Sequence, residues 1–299
     1  MPTTPTTLSE LHSDYVSIPW IELKGHLADA LLLSSVLKSI YDASGQRFGI
    51  VRRPPLSGLF VGHPAVACIS ARAPVTPRVW WQAPGETSQL PSDWQRAAHL
   101  LTHEAVPDAA FWAPSGAGQG ILESLPLPGP PILIAPVPLT PRGNWARDRW
   151  CQLVEELRIL TDIPLAVIAH PRVQGLPGCI NVSGLLAPQE MLGLAGVSVG
   201  VVGVDPFVLR GAHMQQVPSL ALLGPDWTRT DPVIRHLSSS GIRTCEVSCH
   251  HLPSGPALGP CPEAIPCMTE LSVEQVMGVV RSKWLPMLEN RPSAHGTKC

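Results

Sequence analysis

The sequence predicts an α/β protein made of two doubly wound halves, and three observations predict it. Short β-rich apolar runs alternate along the chain with stretches of helical spacing, the order that builds parallel sheets. The 299 residues, 44% of them hydrophobic, supply apolar material for one large core or two medium ones, and two domains are the natural expectation. A Gly/Pro-rich segment between Pro107 and Pro131 separates two such series.

In the first series, residues 15–21 read as a buried strand. A turn at Gly25 leads into a helix over 26–41, where Leu27, Leu31, Leu33, Val36, Leu37 and Ile40 share one face. Residues 47–52 give a second strand, 56–60 a short helix, 66–70 a third strand, and 92–106 a helix with Ser92 as its N-cap. The run 132–137 opens the second series. It continues through a helix over 148–160, a strand over 164–169, a helix over 188–195, a strand over 197–204, a helix over 208–215 and a strand over 219–223. A last helix follows over 273–288. The expected organisation is a tail at 1–14, a first domain over 15–130, a second over 131–272, a C-terminal helix over 273–290 and a tail over 291–299. Two such halves leave a cleft walled by strand carboxyl ends, where nucleotide and acceptor commonly meet.

Composition excludes several classes. A net charge of -2 with only 15% charged residues gives none of the sustained basic field that nucleic-acid binding needs. No apolar run reaches the roughly 18 residues of a membrane span. The first ten residues are Thr/Pro-rich rather than basic and then apolar, so a cytoplasmic, unexported protein is expected, at most peripheral at the inner face of a membrane. The 34 prolines punctuate elements and form no repeat. There is no G-x-S-x-G elbow, Walker lysine loop or H-E-x-x-H motif, and no Cys/His order of a thiol protease.

The segment from Asn181 to Pro232 carries the chemistry most plainly. Two of its strand-to-helix turns, Gly203-Val204-Asp205-Pro206 and Gly224-Pro225-Asp226, end in an acidic residue beside Gly or Pro, the composition of the ligand-collecting edge of a parallel sheet. Asp29 follows the first strand at a helix start. It reads either as a general base or as a cap for backbone N–H groups, and His26 is the alternative base. Glu190 reads equally as a donor contact or as an exposed carboxylate at a helix start. Trp145 and Trp150 read as core aromatics, Arg147 and Arg149 as a solvated helix face. Cys68, Cys151 and Cys179 read as small core residues.

The order of these features resembles the ADP-heptose:lipopolysaccharide heptosyltransferases, glycosyltransferase family 9, whose fold is GT-B. The resemblance runs from about Trp20 to Val280. Leu23-Lys24-Gly25-His26-Leu27-Ala28-Asp29 is similar to the family's N-terminal Gly-Asp motif, with Ala28 where Gly is usual, and implies Asp29 as catalytic base. Thr140-Pro141-Arg142-Gly143-Asn144-Trp145 is similar to the segment that opens the second domain and contacts the donor phosphates. The lysine usual before the tryptophan is missing. At the next motif the family shows Asp, Ser/Thr, Gly and then His. This chain has Asp205, Pro206, Phe207 and Arg210. Pro206 and Phe207 approach a pyrophosphate less closely than Gly does, while Arg210 offers a bidentate cation. The implied donor-binding set is Thr140, Arg142, Asn144, Glu190, Asp205, Arg210, Gly224, Pro225 and Asp226.

The resemblance implies an inverting transfer of a heptose or related sugar from a nucleotide-sugar donor, an ADP-sugar by preference, to a surface-glycan or protein hydroxyl, without a catalytic metal. A non-catalytic GT-B-like binding module and a nucleotide-sugar epimerase are the alternatives. Cys245, Cys249, Cys261 and Cys267 crowd together beside His250 and His251, and a similar Cys-rich loop precedes the last helix in many members of the family. Their spacing matches no zinc ribbon. A structural Zn or Fe site and a set of free thiols are both open readings.

Overall fold

The computed structural model describes residues 18–23, 27–51, 56–71, 78–81, 117–138, 143–169, 175–223, 242–243 and 268–289. The chain divides into two compact units, residues 1–114 and 115–299.

In the first unit, strand β1 (Trp20–Leu23) leads into helix α1 (Leu27–Ser44), then β2 (Phe48–Val51), a 3-10 turn (Leu56–Phe60), β3 (Val66–Ser70) and β4 (Arg78–Trp81). These strands form one parallel sheet in the order β3-β2-β1-β4. β1 and β2 are unbroken apolar runs except for Glu22 and Gly49, as strands covered on both faces should be. Gly49 is required by packing: a Cβ there would lie 2.5 Å from the Trp20 ring. Helix α1 buries Leu31, Leu33, Val36, Leu37 and Ile40, each 2% exposed or less, the face that helical spacing selects.

His63, which the sequence reading passed over, ties α1 to this sheet. Its Nδ1 accepts from the Ala65 N–H at 3.1 Å, so Nε2 carries the proton and donates to the Ser34 carbonyl at 3.0 Å. Burial lowers its pKa from 6.5 to about 4, outweighing the Ser34 bond that favours the charged form. The unfolded ring gains a proton below 6.5 and the folded ring only near 4. Its contribution is therefore full above that upper value and disappears as pH falls toward the lower one, a loss of up to about 3 kcal/mol. Urea unfolding across this range is expected to show the fall, and His63→Gln to flatten it. An identical pH slope in the variant would exclude His63 as the cause.

The second unit contains helix α2 (Ala117–Ser124), β5 (Ile132–Ala135), α3 (Arg147–Leu160), β6 (Leu165–Val167), β7 (Ile180–Asn181), α4 (Pro188–Val197), β8 (Gly200–Gly203), α5 (Pro206–Met214), β9 (Ser219–Leu223) and β10 (Ile242–Arg243). Helix α6 (Val273–Val279) passes through a π-helical turn (Val280–Trp284) into α7 (Leu285–Glu289). All six strands are parallel, in the order β10-β9-β8-β5-β6-β7. Numbered from β5, this is the dinucleotide-fold order, with its topological switch point between β5 and β8.

Helix α2 lies before the boundary expected near residue 131, yet it packs on α4 of the second unit. A Cβ at Gly118 would meet the Gly193 carbonyl at 2.5 Å, so paired glycines bring the two helix backbones together. Trp145, Trp150, Leu153, Val154 and Leu157 enter one core with Val276, Val280 and Trp284 from the C-terminal helices. Among the described residues no helix is long and apolar enough to cross a membrane.

Candidate functional site

The connections leaving β5 and β8 share one edge, because these parallel neighbours pair Ala135 with Gly203 at their carboxyl ends. Gly203 is needed there. An added Cβ would stand 2.5 Å from the Ala135 carbonyl and 2.7 Å from its Cβ. The Ala135 carbonyl accepts from Val204 at 2.9 Å and Asp205 at 3.4 Å, which fixes where the chain turns.

Asp205 is the N-cap of α5. Its Oδ1 accepts from the Phe207 N–H at 2.8 Å and the Val208 N–H at 3.3 Å. Pro206 occupies the first helical position, where no N–H is needed. Burial pushes the Asp205 carboxyl up to about 6, against the opposing pull of the two N–H groups and the Arg210 charge. Arg210 lies one turn further along α5 and is half-buried.

Glu190 stands in the first turn of α4, which follows β7 on the same edge of the sheet. It is exposed, and its Oε2 accepts from the Ala187 N–H at 2.7 Å, so at least one oxygen performs a cap. Asn144 is exposed at the end of the connection from β5 to α3. Thr140, Arg142, Gly224, Pro225 and Asp226 lie outside the described residues, as do His26 and the cysteines 245, 249, 261 and 267. Among the described residues no group of three or more His, Cys, Asp or Glu is placed to hold a metal ion.

Asp29 belongs to the first unit, in the first turn of the helix leaving β1, and is 7% exposed. β1 sits at that sheet's own switch point, between β2 and β4.

The tryptophan-rich start of α3 has a structural task. Trp145 and Trp150 are buried, with rings edge to face at 4.8 Å. The solvated face expected for Arg147 and Arg149 holds for Arg147 and needs correction at Arg149. Arg149 is half-buried and donates to the Met268 and Leu271 carbonyls at 3.1 and 2.8 Å, and exposed Arg147 donates to the Gly175 carbonyl at 2.8 Å. Cys68, Cys151 and Cys179 are half-buried free thiols, and burial pushes Cys179 up to about 12, far from a reactive thiolate.

No family model matches the sequence, and no curated protein matches it. Solved structures do. The ADP-heptose lps heptosyltransferase II of E. coli matches with a TM-score of 0.66 at 12% identity, over 91% of this chain and 99% of that one. The fold is GT-B. The iron-containing dodecameric glycosyltransferase TibC of enterotoxigenic E. coli shares it at TM-score 0.62 and 16% identity, over 88% of this chain and 75% of that one. A family 9 glycosyl transferase of Veillonella parvula shares it at 0.59 and 12%, over 92% and 98%. The resemblance carried by the order of motifs is therefore also a resemblance of structure. Within the GT-B frame, Asp29 and Asp205 each stand near the start of a helix leaving a switch-point strand.

Proposed function

We propose that this chain is an inverting glycosyltransferase that moves a heptose or related sugar from a nucleotide-sugar donor to the hydroxyl of a surface glycan, of the lipopolysaccharide type, or of a protein. One observation carries the reading: each parallel sheet has a switch point from which a helix leaves with an aspartate at its start, Asp29 in one unit and Asp205 in the other. In this reading Asp29 takes the proton of the acceptor hydroxyl. The hydroxyl oxygen forms its bond to the anomeric carbon as the bond to the nucleotide diphosphate breaks on the opposite face, which inverts the configuration. The leaving diphosphate is met by Arg142 and Arg210, with Thr140, Asn144, Glu190, Asp205 and the Gly224-Pro225-Asp226 turn around the nucleotide and sugar. TibC in complex with ADP-D-beta-D-heptose and the E. coli heptosyltransferase WaaC with ADP are among the structural neighbours, which favours an ADP-sugar here. The reaction needs no catalytic metal in this scheme.

Incubation with ADP-heptose and other nucleotide sugars, with release of nucleotide and labelling of acceptor followed by mass spectrometry, is the test. Release that depends on an acceptor supports the transferase. Nucleotide binding without turnover on any donor supports a second reading, a GT-B binding module, which the Asp205-Pro206-Phe207 turn in place of Asp-Ser/Thr-Gly favours.

The neighbour TibC is iron-containing, and thiolates are fitting ligands for Fe or Zn. By this reading Cys245, Cys249, Cys261 and Cys267 hold a structural ion. Metal analysis of protein purified without an affinity tag is expected to return about one equivalent per chain, and a background value would leave the cysteines as free thiols.

A further inference from the structure

We infer that Asp205 closes the amino end of α5 to anions, so that phosphate, whether free or part of a nucleotide, is not held by the backbone of this turn. A helix start binds an anion through N–H groups that the helix itself leaves unused. At α5 every one is committed. Pro206 has none to offer. Phe207 and Val208 donate to Asp205 Oδ1 at 2.8 and 3.3 Å, and Leu209 donates to the Asp205 carbonyl at 3.1 Å. The N–H of Asp205 is directed at the Ala135 carbonyl at 3.4 Å.

An anion entering here must displace the carboxylate from both bonds. Any phosphate beside this helix is thus reached by the Arg210 side chain and not by amides. Asp205 becomes a selectivity residue of the switch point, favouring the uncharged, hydroxyl-bearing part of a ligand at this turn. The inference deepens the transferase reading and rests on its placing of the ligand site along this edge of the sheet.

The test uses the full chain labelled at phenylalanine nitrogen, a spectrum of four amides, with Phe207 assigned through Phe207→Leu. Inorganic phosphate and ADP are the probes. In the wild type inorganic phosphate is not expected to move the Phe207 amide, and ADP reports only whether the nucleotide site is occupied. Asp205→Ala frees two donors, and phosphate affinity is expected to rise at least about tenfold, with the Phe207 amide shifting. Asp205→Asn keeps a capping oxygen, so its Phe207 amide is expected to stay unmoved by phosphate, as in the wild type.

A Phe207 shift on adding inorganic phosphate to the wild type or to Asp205→Asn overturns the inference, and so does a folded Asp205→Ala that gains no affinity. If Asp205→Ala does not fold by circular dichroism, the spectra of the wild type and Asp205→Asn still decide. Failure of the transferase reading would look different: no ADP binding and no turnover, while the phosphate titrations kept their expected pattern.

Discussion

Asp29→Asn is expected to lower kcat by about a hundred- to ten-thousand-fold and to leave nucleotide affinity unchanged. The substitution keeps the shape of the side chain and its capacity to accept a hydrogen bond at the start of α1, so the fold is preserved. It removes the group proposed to take the acceptor's proton. Asp29 is 7% exposed, which keeps most bulk water away from it. The proposed nucleotide contacts all belong to residues 115–299, whereas Asp29 belongs to residues 1–114. Binding and chemistry should therefore separate. Turnover measured with saturating donor, beside nucleotide titration of the same preparation, checks both halves. Undiminished turnover would return Asp29 to the humbler role of satisfying backbone N–H groups.

The second large effect is on stability. Trp145→Ala is expected to destabilise the second unit by about 3–5 kcal/mol. The indole is 1% exposed, stacks edge to face on Trp150 and donates to the Leu271 carbonyl at 2.7 Å. Truncation leaves a cavity between α3 and the segment leading into α6, and removes one of the bonds that hold that segment in place. Trp145→Phe should cost only about 1 kcal/mol, because the Leu271 carbonyl still accepts from Arg149 at 2.8 Å. Denaturant melts of both variants separate packing from hydrogen bonding. Equal losses would mean that the bond, rather than the ring, matters.

These two residues were open to sequence reading to different degrees. Asp29 stood out because a Gly-containing turn and an acidic residue follow an apolar strand, all within a few positions. Trp145 read correctly as core, yet nothing near it in sequence announced its partner, which lies 126 positions away. Arg149 was misread for the same reason: helical spacing put it on a polar face, and carbonyls more than a hundred residues distant claimed it. Helix α2 escaped notice because Ala117-Gly118-Gln119-Gly120 has poor intrinsic helix propensity. It forms where Gly118 and Gly193 allow two backbones to touch. Strand β4 was missed as well, a four-residue run with too little length to show a period.

The sequence by itself determined the α/β class, the succession of most strands and helices, and the turns at which acidic residues would stand. Those follow from hydrophobic period and from the backbone preferences of Gly, Pro and Asp, which act over a few residues. Only the tertiary structure decided the strand order about each switch point, the unit to which α2 belongs, the neutral state of His63, and the saturation of every N–H at the start of α5. Each of these is set by desolvation or by a hydrogen-bond partner supplied when segments pack, and such quantities have no value until the chain is folded.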